Sequence, residues 1–374
     1  MSTFFDHQPH SGTTMTRRVD VVLAATTVVL AFLGVVMVYS ATRDKLRLAG
    51  DNSHYFLTRQ GMFVVLGVVA MVILAIADYH WLEHASVALY GLMVLSLLSM
   101  FVIGSSQLGA TRWLQLGPLQ LQPSAFASLI LIVVVAGYCA RRPDGLERND
   151  IIKILALAIV PILLVVKQPD LGSGIVMSII LLVMLVVAGI PNRYLLLLIF
   201  LVILGVIAVV HLGLLQQYQV QRITGFLNQN GQQSYNLAQS KAAIGSGGFW
   251  GTGLFQGSQT NLSYVPEQQT DFIFSAVGEQ LGFVGAASVL ALLGLIAWRL
   301  LHSAQSARDP FGRLLATGVF TLIAFSVFEN AGMTMGIMPI AGIPLPFLSY
   351  GGSATLAFFS GIGMVLSVHL RHQR

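Results

Sequence analysis

Long apolar runs separated by short polar stretches dominate the chain. Ten runs reach or approach the roughly 20 residues that a helix needs to cross a bilayer. They are 19–41, 61–77, 85–104, 124–140, 151–167, 171–189, 194–215, 272–298, 312–336 and 350–369. Alternating segments of about ten residues, the mark of an outer-membrane barrel, are absent. The pattern predicts an all-α polytopic membrane protein with about ten transmembrane helices. Residues 1–18 form an N-terminal tail, 19–369 the membrane domain and 370–374 a C-terminal tail. One connection is far longer than the rest. Residues 216–271 are rich in Gln, Gly, Asn and Ser, and connections beyond about 12–15 residues are usually functional or disordered. Within them, Tyr235 to Ala243 predicts a short interfacial helix. The glycines of 245–257 predict a loop whose backbone approaches something closely.

Composition sharpens this picture. Of 374 residues, 55% are hydrophobic and only 9% are charged, against about 25% charged in soluble proteins. A mean hydropathy of +0.78 agrees with a multi-span chain. The single Cys139 excludes an intramolecular disulfide framework. The net charge of +5 would point to nucleic acid until the charges are located at the ends of apolar runs, so no nucleic-acid partner is expected. An even number of spans puts both termini on one side. With the N-terminus cytoplasmic, that side carries twelve Lys and Arg residues against eight, the bias that orients membrane proteins. The expectation is a multi-pass membrane protein with both termini cytoplasmic and 216–271 on the opposite side. The basic stretch at 42–60 runs against this bias and reads as a loop facing lipid headgroups.

Ionisable residues within spans are expensive and draw attention to function. Asp271 opens the eighth run, and Glu279 lies about 12 Å deeper along the helix. Glu329, beside Asn330, lies deep in the ninth run, and Asp170 follows Pro169 between the fifth and sixth. Each has a plainer explanation. Thr270 or Asp271 could cap a helix, Glu279 and Glu329 could fix helix register, and Asp170 could serve a turn. No phosphate loop, GxSxG or HExxH motif is present, and the histidines show no metal-binding spacing. Arg112, Lys241, the Gly245–Gly253 run, Glu267, Asp271 and Ser349–Ser353 gather toward one face of the membrane. A carboxylate near cations at a lipid–water boundary suits transfer from a lipid pyrophosphate, in which a hydroxyl needs a base and the leaving group needs positive charge. A transporter of an anionic lipid would need similar cations.

Three segments, SKAAIGSGGFWGTGLFQGSQ, VPEQQTDFIFSAVGEQLGFVG and MGIMPIAGIPLPFLSYGGS, resemble the SEDS family of shape, elongation, division and sporulation proteins. The resemblance runs from about Val19 to His369. GATRWLQLG, QPS at 122–124 and QPDLGSG at 168–174 follow in the family's order. AIGSGG and GIPLPFLSYGGS are closer to the elongation branch, RodA, than to the division branch, FtsW. The resemblance implies a ten-helix bundle that polymerises lipid II at the outer face of the membrane, with inversion at the sugar carbon and release of undecaprenyl pyrophosphate. The family's essential aspartate matches Asp271, which becomes the expected general base. The expected substrate-binding residues are Arg112, Lys241, Glu267, Gln122, Ser124, Asp170, Ser349, Tyr350 and Ser353. No metal cage is legible, although a divalent cation such as Mg could offset pyrophosphate charge. The implied partners are lipid II, membrane lipids and a class B penicillin-binding protein.

One departure stands out. The family commonly carries Glu after Gln-Pro-Ser and Lys three residues later. Here those positions are Ala125 and Ser128. Joint loss of a pair leaves no unpaired buried charge, so the fold should survive. The loss makes a non-catalytic scaffold of a penicillin-binding protein less remote; a lipid II flippase is the other alternative to the glycosyltransferase.

Overall fold

The computed structural model describes residues 19–372 apart from 104, 108–109, 117–118, 143–144 and 212–231. Among the described residues, each of the ten expected spans is helical to within two residues of its ends. They begin with α1 (Val21–Leu48), α2 (Tyr55–Ile76), α3 (His80–Ile103), α4 (Pro123–Ala140), α5 (Arg148–Lys167), α6 (Leu171–Val187) and α7 (Asn192–His211). Two shorter helices follow, α8 (Gln232–Ser246) and α9 (Ser258–Asn261). The bundle is completed by α10 (Ile273–Ser306), α11 (Pro310–Met335) and α12 (Gly352–His372). Among the described residues, eight helices are long and apolar enough to cross a membrane, and α6 and the apolar part of α7 are shorter. The helix expected at 235–243 lies within α8.

Two features differ from expectation. First, α1 continues to Leu48 and α2 begins at Tyr55, so the basic loop at 42–60 shrinks to 49–54. Lys45 and Arg47 lie in the last turn of α1, where cations complement the partial negative charge of a helix C-terminus. Arg43 is half-buried, its side chain 27% exposed. Its guanidinium lies 4.6 Å from the centre of the Phe255 ring and donates to the Phe255 carbonyl at 3.1 Å. Second, an antiparallel sheet, β1 (Ser105–Gln107), β2 (Ala110–Leu116) and β3 (Leu119–Leu121), joins α3 to α4. The register pairs Leu114 with Leu121, Gln115 with Gln120 and Leu116 with Leu119.

The centre of the bundle is α4, α11 and α12, of which 72%, 67% and 72% of the apolar windows are buried, against 28% and 22% for α2 and α3. The outer helices accordingly turn large apolar side chains such as Val65, Ile73, Leu95 and Phe200 outward. Without water to drive helices together, close backbone approach must hold them. Gly67 of α2 packs on the Phe359 ring of α12, and Gly363 of α12 packs on the backbone of Met71.

The end of the bundle remote from Asp271 is tied by carboxylates at helix starts. Asp20 caps α1 through Leu23 N at 3.0 Å and pairs with Arg299 of α10 at 2.8 Å. Asp309 caps α11 through Gly312 N at 2.7 Å and accepts the Tyr79 hydroxyl.

Candidate functional site

Asp271 ends a tight turn that precedes α10. Glu267 opens the turn with a φ of +50°, and its carbonyl accepts from Thr270 N and Asp271 N, both at 3.1 Å. Gln268, Gln269 and Phe272 are buried, whereas Asp271 is half-exposed. Three consecutive carbonyls of the turn are held from outside it. Gln269 O accepts from Tyr350 N at 2.8 Å. Thr270 O accepts from Ser349 Oγ at 2.6 Å. Asp271 O accepts from Asn330 Nδ2 at 2.9 Å. The same Nδ2 donates to Ile343 O at 2.8 Å. Ser349 Oγ also accepts from Leu345 N at 2.8 Å, so this buried hydroxyl is committed within the protein. Fully buried Gln60 of α2 steadies the Ser349–Gly351 segment through Ser349 O at 3.3 Å and Gly351 N at 3.4 Å. Tyr350 packs edge-on against Phe56.

A second polar cluster forms around Asp170, which caps α6. Its carboxylate accepts from Ser173 N at 3.2 Å, Ser173 Oγ at 2.9 Å, Ser124 Oγ at 2.8 Å and Gln122 Nε2 at 3.2 Å. Gln122 N donates to Ser353 Oγ at 2.8 Å. Gln122, Ser124, Asp170 and Ser353, chosen from three separate motifs, are thus brought together. Beside them lies a cavity of about 90 Å³ whose lining includes Gln122, Ala125, Ser128, Asp170, Ser326 and Ile343. Ile343 connects this cavity to the Asp271 turn through Asn330.

Ala125 and Ser128 face the same cavity as Asp170, so the missing Glu and Lys would bear directly on that carboxylate. Ala125→Glu alone adds a second buried negative charge and is expected to lower stability by about 3 kcal/mol or more, as a broken buried pair does. Ser128→Lys alone supplies a counter-charge to Asp170 and is expected to lose less. The double variant should melt closer to the parent than Ala125→Glu does. Thermal melting of all four combinations checks this order. Equal melting of Ala125→Glu and the double variant would remove the ion-pair argument.

The Gly-rich loop approaches a helix. At Gly282 the backbone of α10 leaves helical geometry, with φ 65° and ψ −165°. Loop residues fill the break. Thr252 N donates to Glu279 O at 2.9 Å, Gly253 N to Gln280 O at 3.1 Å, and Phe283 N to Gly248 O at 2.9 Å. Glu279, fully buried, accepts from Gln259 N at 2.7 Å, Thr260 N at 2.8 Å and Thr260 Oγ1 at 2.5 Å. It fastens α9 to α10. Gln280 Oε1 accepts from Ser40 Oγ at 2.7 Å and Phe255 N at 3.0 Å. From Thr260, a further bond to Gln268 Nε2 at 3.2 Å reaches the Asp271 turn.

The remaining expected residues are more scattered. Lys241 is exposed on α8, its aliphatic stem beside Gly336 at the end of α11. Exposed Glu267 accepts from Gln269 Nε2 at 3.3 Å. Arg112 lies on β2, and its side chain falls outside the described ones. In the sequence Asn330 stands out only as the polar neighbour of Glu329. A polar pair inside an apolar span was the available signal.

The whole described chain matches known proteins. The model of a cell cycle protein family, FtsW/RodA/SpoVE, matches residues 20–374. The chain is 35% identical over 362 residues to the probable peptidoglycan glycosyltransferase FtsW of Geobacter metallireducens, covering 95% of each. It is 37% identical over 311 residues to the peptidoglycan glycosyltransferase MrdB of Escherichia coli K12, covering 82% of this chain and 83% of that one. Among solved structures, a chain of a peptidoglycan synthase complex that coordinates polymerization and crosslinking superposes with a TM-score of 0.81 at 30% identity, over 95% of this chain and 99% of that one.

Proposed function

This chain belongs to the SEDS family, FtsW/RodA/SpoVE, and we propose that it is a peptidoglycan glycosyltransferase that polymerises lipid II at the outer face of a bacterial cytoplasmic membrane, with both termini cytoplasmic. Relatives named FtsW and MrdB stand at nearly equal identity and do not separate the branches of the family. The AIGSGG and GIPLPFLSYGGS segments favour a role in elongation and rod shape.

The observation that carries the reading is the Asp271 turn. Asp271 is half-buried on a backbone held by three donors from outside the turn. A general base needs access to the attacking hydroxyl and a fixed position. In the proposed reaction the 4-hydroxyl of the acceptor GlcNAc attacks C1 of the donor MurNAc. Asp271 takes the hydroxyl proton as the new C–O bond forms, and the bond from C1 to the pyrophosphate oxygen breaks with inversion. Undecaprenyl pyrophosphate leaves with the electron pair. Arg112 and Lys241 are assigned to its charge, which Arg can grip with two parallel donors. Tyr350, Glu267 and the Gln122–Ser124–Asp170–Ser353 cluster would line the path of the sugars. Among the described residues no three His, Cys, Asp or Glu side chains gather.

A class B penicillin-binding protein is the proposed partner, supported by the likeness to a chain from a complex that joins polymerization to crosslinking. Full-length protein reconstituted in liposomes with lipid II in both leaflets separates the three readings. Glycan strands identify a glycosyltransferase. Transbilayer movement of intact lipid II without strands would identify a flippase. Neither product, with the partner still bound, would identify a scaffold.

A further inference from the structure

We propose that Asn330 is a positioning residue for Asp271, an inference that rests on the reading of Asp271 as the base. Asn330 is fully buried within α11. A primary amide nitrogen carries two hydrogens, and both are used here, one on Asp271 O at 2.9 Å and one on Ile343 O at 2.8 Å. The two acceptors settle the orientation of the amide, because its oxygen turned toward two carbonyl oxygens would be repelled. Oδ1 is left without a hydrogen-bond partner. A buried acceptor without a donor opposes folding, and an apolar side chain of similar size would avoid that penalty. Packing therefore does not account for an asparagine at this position. The two bonds from Nδ2 do.

What those bonds fix is a spacing. Ile343 lines the cavity that contains Asp170, Ala125 and Ser128, and Asp271 carries the carboxylate. A single amide ties the backbone of one to the backbone of the other. Ser349 Oγ and Tyr350 N hold the two preceding carbonyls, Thr270 O and Gln269 O, so the turn is restrained at three successive peptide units by α11 and by the segment before α12. Removing the Asn330 amide frees the peptide unit that carries Asp271 itself. A displacement of about 1 Å at a reacting group lowers rate by roughly 100-fold while leaving the groups that hold the substrate in place. Asn330 acts through the backbone of Asp271, which is why it is a positioning residue and not a catalytic one.

The test uses the full-length protein in detergent or nanodiscs, with purified lipid II as the probe. Asn330→Ala removes both donors, Asn330→Ser keeps one short donor, and Asn330→Asp keeps the shape but offers only acceptors when ionised. Folding of each is read by thermal melting, and kcat and KM are measured per folded molecule. The expected result is a fall in kcat of about 30-fold or more for Asn330→Ala and Asn330→Asp, a smaller fall for Asn330→Ser, and a KM for lipid II within about threefold of the parent. If the Ala and Asp variants fail to fold, Asn330→Ser carries the test. A folded variant with parental kcat, or a loss confined to KM, overturns the inference. Asp271→Asn, whose main-chain carbonyl is unchanged, is measured beside them. If it keeps its rate, the base assignment falls and this inference with it. If it is inactive while Asn330→Ala turns over normally, the base assignment stands and only the role of Asn330 falls.

Discussion

Asp271→Asn and Asp271→Ala are expected to lose polymerisation by about 10²- to 10⁴-fold, the range associated with removing a general base, while the protein still folds and still binds its partner. The structural consequences should be small. Asp271 lies half-exposed before the first turn of α10, and the bond that Asn330 makes there is to the main-chain carbonyl. Loss of any helix-start contribution from the side chain should lower stability by about 1 kcal/mol. Asn keeps the size of Asp and removes its basicity, so the Asn variant isolates proton transfer. The rate per folded molecule and the melting temperature, measured on the same preparations, check the prediction. A purified Ala variant that polymerises at the parental rate would end the assignment of Asp271 as the base.

The largest effect on stability is expected at the junction of the Gly-rich loop with α10. A Cβ on Gly251 would overlap the Gln280 carbonyl and approach Gly282 N to 2.7 Å. A Cβ on Gly282 would overlap Gly251 N and approach Phe249 O to 2.7 Å. The obstacles are backbone, which cannot rotate aside. Both residues also have positive φ, 85° and 65°, where a side chain adds about 1–3 kcal/mol of strain. Overpacking adds about 1–3 kcal/mol more, so Gly251→Ala and Gly282→Ala should each destabilise by roughly 3 kcal/mol or more. Gly245 provides the contrast within the same sequence run. It is an exposed residue of α8 with nothing within 4 Å of a new Cβ, so Gly245→Ala should be neutral or stabilising by about 0.5–1 kcal/mol. Thermal melting of the three variants checks the order. Similar melting for Gly245→Ala and Gly251→Ala would mean that the loop does not pack into the α10 break.

The contrast between these glycines shows what was legible in the chain before its structure. The spans were legible because a bilayer demands about 20 apolar residues from each helix, and each run is helical over nearly all of its described residues. Their ends were less so. Hydropathy falls at Arg43, but the α1 backbone continues because its basic residues suit a helix C-terminus and Arg43 finds Phe255. The hairpin after α3 lies outside the all-helical expectation, although LQLGPLQL alternates apolar and polar positions on both sides of Gly117-Pro118, a hairpin pattern. The Gly run announced close backbone approach correctly, but a sequence cannot say to what, and the answer is a break in α10. Glu279 was open between functional and structural readings, and its three bonds to residues 259 and 260 make it a fastening of the loop. Asp170 gathered partners from distant motifs that only the packing of α4, α6 and α12 could bring together. Asn330 illustrates the remaining limit. Its partners are main-chain carbonyls, which every residue possesses, so nothing in the identities of residues 271 and 343 marks them as its acceptors.

The measurement that bears most directly on the central claim is strand formation by the purified full-length chain together with a class B penicillin-binding protein, given labelled lipid II and resolved on a gel. A ladder of glycan strands with matching release of undecaprenyl pyrophosphate is the predicted result, with the uncharged Ala125 and Ser128 in place. Folded, partner-bound protein that leaves lipid II unpolymerised would contradict it.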